Sequence, residues 1–174
     1  MPEFIETERL KLIACDPEIL KAAIEGNKKL SEKRGVNIAE NWTEFGLTAL
    51  QYSLDKLSQN ADEAGWCSYF PIHKNHNTLI GSCGYKGKPD MNGTVEIGYE
   101  IAPGYRNKGF ATELAKALIS NALKHNNVSV IQAHTLAEEN ASVKVLTKCG
   151  FQKVEEIIDP DDGLIWKWQL KKPL

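Results

Sequence analysis

The stretch G-Y-R-N-K-G-F-A-T, Gly104 through Thr112, decides how this chain is read. Residues 94–102 ahead of it are rich in Val, Ile and Tyr, as a strand should be. Pro103-Gly104 then forces a turn, because neither residue extends a ladder well. From Gly109 the period changes. Ala111, Leu114, Ala115, Leu118, Ile119 and Ala122 recur at three- and four-residue spacings, which puts one apolar stripe on a helix facing a sheet. The turn therefore delivers backbone N–H groups to a helix start, where unpaired amides and the positive end of the helix dipole suit a phosphate. Arg106 and Lys108 add positive charge, and Gly109 has no side chain to keep an anion from the backbone.

Two familiar phosphate motifs are tested against this stretch. The spacing of Gly104 and Gly109 matches a Walker A loop, but Phe110 and Ala111 stand where Lys and Ser or Thr belong. The dinucleotide fingerprint needs a second glycine two positions after Gly104, and Arg106 is there instead. What remains is R-x-x-G-x-A, from Arg106 to Ala111.

That pattern resembles the pyrophosphate loop, Q/R-x-x-G-x-G/A, of the GNAT acyl-CoA N-acetyltransferases. Other words in the chain occur in the same order as in that family: Thr7-Glu8-Arg9-Leu10-Lys11-Leu12, Glu96-Ile97-Gly98-Tyr99, Asn140-Ala141-Ser142 and Gly150-Phe151. Together they look like the ribosomal-protein alanine acetyltransferase branch. The resemblance implies an α/β (α+β) GNAT fold over residues 1–174 as a single domain. Its central sheet would be mixed, mostly antiparallel and splayed between the fourth and fifth strands, with helices on both faces. It also implies acetyl-CoA as cosubstrate, an amine acceptor and no metal. By the same resemblance Arg106, Asn107, Lys108, Gly109, Phe110, Ala111 and Thr112 hold the diphosphate. The pantetheine arm hydrogen-bonds strand backbone at Tyr99, Ile101 and Ala102 in the manner of an added strand. Asn140 and Ser142 touch the arm, and Ser142 is the candidate acid for the departing thiolate, since residues 141–148 contain no Tyr.

Moving an acetyl group to an amine needs a base, because an aliphatic amine is mostly protonated near neutral pH. Glu96 is the candidate: by period two it shares a strand face with Gly98 and Glu100. The alternative is that Glu96 pairs with a lysine of the cleft wall. A backbone N–H of the same strand, at Tyr99 or a neighbour, is the candidate oxyanion donor.

Composition bounds the classes. A chain of 174 residues suits one domain with a sizeable core. Hydrophobic residues at 42% and charged residues at 25% are ordinary for a globular protein. The apolar runs fall far short of the roughly 20 residues that span a bilayer, and Glu3, Glu6 and Glu8 are unlike a secretory signal, so the expectation is cytoplasmic with no membrane partner. A net charge of -2 lacks the basic excess of a nucleic-acid binder. Cys15, Cys67, Cys83 and Cys149 are scattered, without C-x-x-C pairs, and read as free thiols.

Taken in order, residues 10–13 read as the first strand, with Asp16 as N-cap and Pro17 opening one helix that runs to about Leu30 and ends in a solvated basic cluster. Residues 43–59 read as a second helix. The resemblance implies that this helical pair covers the acceptor side of the cleft, where Trp42, Phe45 and Tyr52 either touch substrate or pack in the core. Residues 66–73 and 78–86 read as an antiparallel pair whose polar tip exposes His73 and His76. Residues 128–135 give a strand parallel to 94–102. A short helix follows, capped by Asn140 or Ser142 and stopped by Gly150, and residues 151–158 and 164–170 close as a hairpin. The strand bearing Trp166 and Trp168 covers either a core or a partner, so a homodimer is one option. Two functions compete: an acetyl-CoA-dependent N-acetyltransferase, and a non-catalytic acyl-CoA-binding sensor.

Overall fold

The computed structural model describes residues 3–173. Ten strands form one mixed sheet: β1 Phe4–Glu6, β2 Leu10–Ala14, β3 Asn37–Ile38, β4 Ser68–His73, β5 Thr78–Leu79, β6 Gly81–Tyr85, β7 Thr94–Ile101, β8 Val130–Leu136, β9 Gln152–Asp159 and β10 Gly163–Lys171. The strand order is β1-β2-β4-β6-β7-β8-β10-β9, with β3 and β5 attached beside β4. Five helices cover it: α1 Pro17–Glu25, α2 Asn27–Arg34, α3 Gly46–Gln59, α4 Phe110–Leu123 and α5 Ala141–Lys148.

Alternation along the strands divides the apolar side chains between two cores, one on each face. Tyr69 of β4 and Ile80 pack on one side with Leu114, Ala115 and Leu118 of α4 and Leu146 of α5. Their neighbours Phe70 and Leu79 pack on the other side with Ile19 and Leu20 of α1, Leu30 of α2 and Leu50 of α3. Helices thus sit on both faces, and the stripe read on α4 is its buried side.

Local signals come out as read. Asp16 accepts from the Ile19 amide at 2.7 Å with Pro17 as the first helical residue, and Asn140 accepts from the Val143 amide at 3.0 Å. Gly150 sits at φ +88, the left-handed stop. The helix expected from Pro17 to about Leu30 is instead two, broken at Gly26, where φ 132 and ψ 169 leave helical space. The helix expected from Thr43 starts at Gly46, and Thr43 Oγ1 accepts from the Gly46 amide at 2.9 Å. The edge strand β1 has no counterpart in the sequence reading.

The chain between β7 and β8 makes a crossover through α4, so the two strands are parallel, as expected. They are the fourth and fifth of the strands read from sequence. Their register holds for three pairs, Thr94↔Val130, Val95↔Ile131 and Glu96↔Gln132, and then ends, although β7 runs on to Ile101 and β8 to Leu136. The sheet therefore opens at this point.

Candidate functional site

The opening is bounded on one side by the backbone of β7. Lys86 N–H donates to Glu96 O at 2.9 Å and Ala102 N–H to Ile80 O at 2.7 Å, which fixes the even-numbered residues of β7 toward β6. The odd-numbered residues Ile97, Tyr99 and Ile101 accordingly turn their peptide groups toward the gap. Ala102, expected to share that edge, does not: its N–H is taken by Ile80, and its carbonyl accepts from Tyr105 N–H at 2.9 Å.

At the end of β7 the chain turns through Pro103–Tyr105 into the R-x-x-G-x-A loop. Asn107 and Gly109 both adopt positive φ, 59 and 81, and together they swing the chain so that α4 begins at Phe110. No side chain caps α4, and the amides of its first turn, at Phe110, Ala111 and Thr112, have no carbonyl one turn earlier to bond. The result is a helix start that offers donors to an anion.

The cationic side chains of this loop do not point freely outward. Arg106 Nε donates to Ile101 O at 2.8 Å and its terminal nitrogen to Glu44 Oε1 at 2.7 Å, while Lys108 Nζ donates to Gly104 O at 2.8 Å. They brace the loop. The donors left free for an anion there are mainly those of the backbone.

Beneath the loop lies an aromatic cluster that the sequence did not disclose. His73 is buried and stacks on His76 with ring centroids 4.0 Å apart, and Tyr105 and Phe110 pack against His73 at 5.7 and 5.2 Å. His73 is thus not an exposed hairpin tip, because α4 and the loop close over it. Burial, with His76 and Arg9 nearby, holds its pKa below the usual histidine value. Among the described residues no group of His, Cys, Asp and Glu is arranged to hold a metal.

Arg9 and Glu113, more than a hundred residues apart in sequence, clamp the loop to the first hairpin. Glu113 accepts from Thr7 Oγ1 at 2.6 Å, from Arg9 N–H at 2.8 Å and from Arg9 Nε at 2.7 Å. The Arg9 guanidinium also donates to Lys108 O at 2.9 Å and lies 4.1 Å over the Phe110 ring. The signal for this pair was Thr7-Glu8-Arg9 near the N-terminus and an acidic residue in the first turn of α4, but nothing local links them. Burial pushes the Glu113 carboxyl up, yet the bonds from Thr7 and Arg9 outweigh it and hold the pKa low. A lowered folded-state pKa stabilises the fold above the unfolded value of about 4.3, and that contribution fades as pH falls through it toward the folded value. Glu113→Gln should therefore cost about 1–2 kcal/mol at neutral pH, discounted because Arg9 is partly exposed. The gap from wild type in chemical denaturation should close on acidification, and an equal gap at acid and neutral pH would contradict this origin.

Two glutamates of β7 organise the segment entering α3 and the parting of the strands. Glu100 accepts from Thr43 Oγ1 at 2.5 Å and from the amides of Glu44 and Phe45 at 2.7 and 3.2 Å, pinning the loop that enters α3. Trp42 is core: it is buried edge-on to Phe70 at 5.2 Å and donates to Asn27 Oδ1 at 2.9 Å. Phe45 and Tyr52 are exposed. Glu96 does pair with a lysine, Lys86, and also bonds His134 Nδ1 at 2.9 Å and Gln132 Nε2 at 3.1 Å. Burial raises the pKa of Glu96, but Lys86 and His134 overcome that and hold it below the usual carboxylate range.

Across the gap, Tyr99 reaches the start of α5. Its hydroxyl lies 3.2 Å from Ser142 Oγ. Burial pushes its pKa up to about 12, against the opposing hydrogen bond to Ser142, so it keeps its proton at neutral pH. Asn140, by contrast, spends its side-chain oxygen on capping α5.

A parallel pair that parts above an uncapped helix start is a specific arrangement, and comparison with known proteins gives it a name. The model of the acetyltransferase (GNAT) domain matches residues 6–152. This chain belongs to the GNAT acetyltransferase family. The uncharacterized N-acetyltransferase YjdG of Bacillus subtilis is 32% identical over 148 residues, which cover 84% of this chain and 88% of that protein. Among solved structures, the ribosomal-protein-S5-alanine acetyltransferase of Vibrio fischeri superposes with a TM-score of 0.71 at 16% identity, covering 97% of this chain and 96% of that one. The ribosomal L7/L12 α-N-protein acetyltransferase, solved with coenzyme A, gives 0.70 at 14% identity, covering 97% and 98%. At such identities these two structures establish the GNAT fold alone. The family assignment makes the protein an acetyltransferase, and acetyl transfer to an amine is the GNAT reaction at this level of detail. Among the described residues no helix is long and apolar enough to cross a membrane.

Proposed function

We propose that residues 1–174 act as a single domain that transfers the acetyl group of acetyl-CoA to a primary amine, at a protein N-terminus or on a small molecule, by direct attack on the thioester. The observation that carries this reading is the parting of β7 from β8 after Glu96, directly beside the uncapped start of α4. The loop amides from Arg106 to Thr112 hold the diphosphate, and the backbone edge at Tyr99 and the Ile101 N–H pairs with the arm as an added strand would, the Ile101 carbonyl being met by Arg106. The thioester is thereby aimed into the gap.

Each chemical demand then has a group. The N–H of Tyr99 or a neighbour on the gap side of β7 donates to the oxyanion. The hydroxyl pair of Tyr99 and Ser142 carries a proton that Ser142 can pass to the departing thiolate. On the other side, the ammonium proton leaves into the cluster around Glu96. Much of the acceleration comes from holding amine and thioester at bonding distance.

The test is calorimetric titration with acetyl-CoA, followed by an assay of free CoA thiol with an alanyl tetrapeptide amide, a seryl tetrapeptide amide and spermidine. Saturable binding and amine-dependent thiol release are expected. Binding without release on any of these amines would favour an acyl-CoA sensor, and no binding would overturn the loop assignment.

A further inference from the structure

The cluster around Glu96 has a second member able to take a proton, and the geometry favours it over the carboxylate. Both oxygens of Glu96 are occupied: Oε1 by Lys86 Nζ and His134 Nδ1, and Oε2 by Gln132 Nε2. A carboxylate neutralised in this way accepts a proton poorly near neutral pH. His134 is differently placed. It lies on the Glu96 side of β8, next on that face after Gln132, and so on the stretch already parted from β7. Its side chain is 21% exposed. The bond from Nδ1 to Glu96 selects the neutral tautomer with the proton on Nδ1 and the lone pair on Nε2. Among the described residues, no hydrogen bond engages Nε2.

We infer that His134 is the residue that deprotonates the acceptor amine, with Glu96 as a positioning residue that orients its ring and balances the imidazolium. The inference rests on the amine-acetylating reading above. In the step, Nε2 takes one proton from the bound ammonium, and the freed nitrogen lone pair forms the bond to the thioester carbon. The carbon–sulfur bond breaks as the tetrahedral adduct collapses. The second proton lost by nitrogen replaces the one that Ser142 gives to sulfur, and the imidazolium returns its proton to water. Lys86 and Gln132 hold Glu96 in place. The other charged groups facing the imidazole are Lys167, its cross-strand neighbour on β10, Glu155 of β9, 3.3 Å from Lys167, and Asp159 at the end of β9, whose carboxyl responds to both Lys86 and His134.

Three proteins test this: wild type, His134→Asn, whose amide can keep the bond to Glu96, and Glu96→Gln. Acetyl-CoA affinity is expected to stay within about twofold in all three, since none of these side chains belongs to the loop. With the alanyl peptide or spermidine, kcat of His134→Asn near neutral pH should fall about 100-fold, and that of Glu96→Gln only about tenfold, because the imidazole remains. The His134→Asn rate should climb about tenfold per pH unit until the amine deprotonates itself, near pH 8 for an α-amino group. Wild type should level off at lower pH. A larger loss in Glu96→Gln than in His134→Asn, or an unchanged pH profile in the latter, overturns the assignment. Nitrogen-15 NMR of the ring needs no turnover, and a proton found on Nε2 of the neutral imidazole also overturns it. Failure of wild type to bind acetyl-CoA would instead strike the parent reading.

Discussion

Gly109→Glu is expected to weaken acetyl-CoA binding about a thousandfold in a protein that still folds. Gly109 is the N-cap of α4 at φ 81, where the chain turns into the helix. A Cβ there would meet only the Arg9 guanidinium, at 3.4 Å, so space for a side chain exists and the fold tolerates one at some local strain. What a carboxylate changes is the sign of the site. Beside a diphosphate, one added negative charge at about 4 Å costs roughly 4 kcal/mol at an effective dielectric constant near 20, which is close to a thousandfold in Kd. Gly109→Asn is the control, because Asn accepts the left-handed conformation without charge and should lose far less. Calorimetric titration of both variants reads the difference. An unchanged Kd in folded Gly109→Glu would remove the loop from the site.

Gly84→Ala should strongly destabilise the sheet. Gly84 lies in β6, between Ser68 of β4 and Gly98 of β7, at φ 143. An added Cβ would sit 2.2 Å from the Cys67 carbonyl oxygen and 3.0 Å from the Ser68 Cα, and both are backbone that cannot swing aside. Strain at such a φ and forced displacement of a packed strand each cost about 1–3 kcal/mol, so a loss of about 3 kcal/mol or more is expected. In a chain of this size that lowers Tm by roughly 10 °C. Gly98→Ala, facing it on β7 with open space around its Cβ, should change Tm by far less. Equal melting temperatures for the two variants would refute the crowding argument.

Where neighbours in sequence settle the geometry, the chain could be read directly. The stripe on α4, the Asp16 cap with Pro17, the stop at Gly150 and the parallel relation of β7 to β8 all follow from spacing and turn chemistry within a few residues. Other features depend on packing between distant segments. Gly26 reads as part of one helix, because a lone glycine is tolerated in helical patterns and nothing nearby requires a break. His73 looks exposed until α4 is laid over it. The Arg9–Glu113 clamp joins segments 104 residues apart, and no periodicity reports on such a pair. The same holds at the site. The loop motif and Glu96 stand out in the sequence, whereas His134 does not, because its significance comes from register with Glu96 across the parting strands. Ala102 shows the converse: the family resemblance assigns it to the gap edge, whereas its N–H and carbonyl are taken by Ile80 and Tyr105.

Strand β7 serves as a common mount. Through Glu100 it carries the acceptor-side loop, through Glu96 the ionic cluster, and through its odd-numbered peptide groups the edge that borders the gap. On the proposed reading, both reactants are thus referenced to eight consecutive residues rather than to separate halves of the molecule. Such an arrangement is modular. Within residues 39–45, Trp42 is tied to the core, Thr43 to Glu100 and Glu44 to Arg106, so on that reading acceptor choice can be retuned at the remaining positions without re-aligning the thioester.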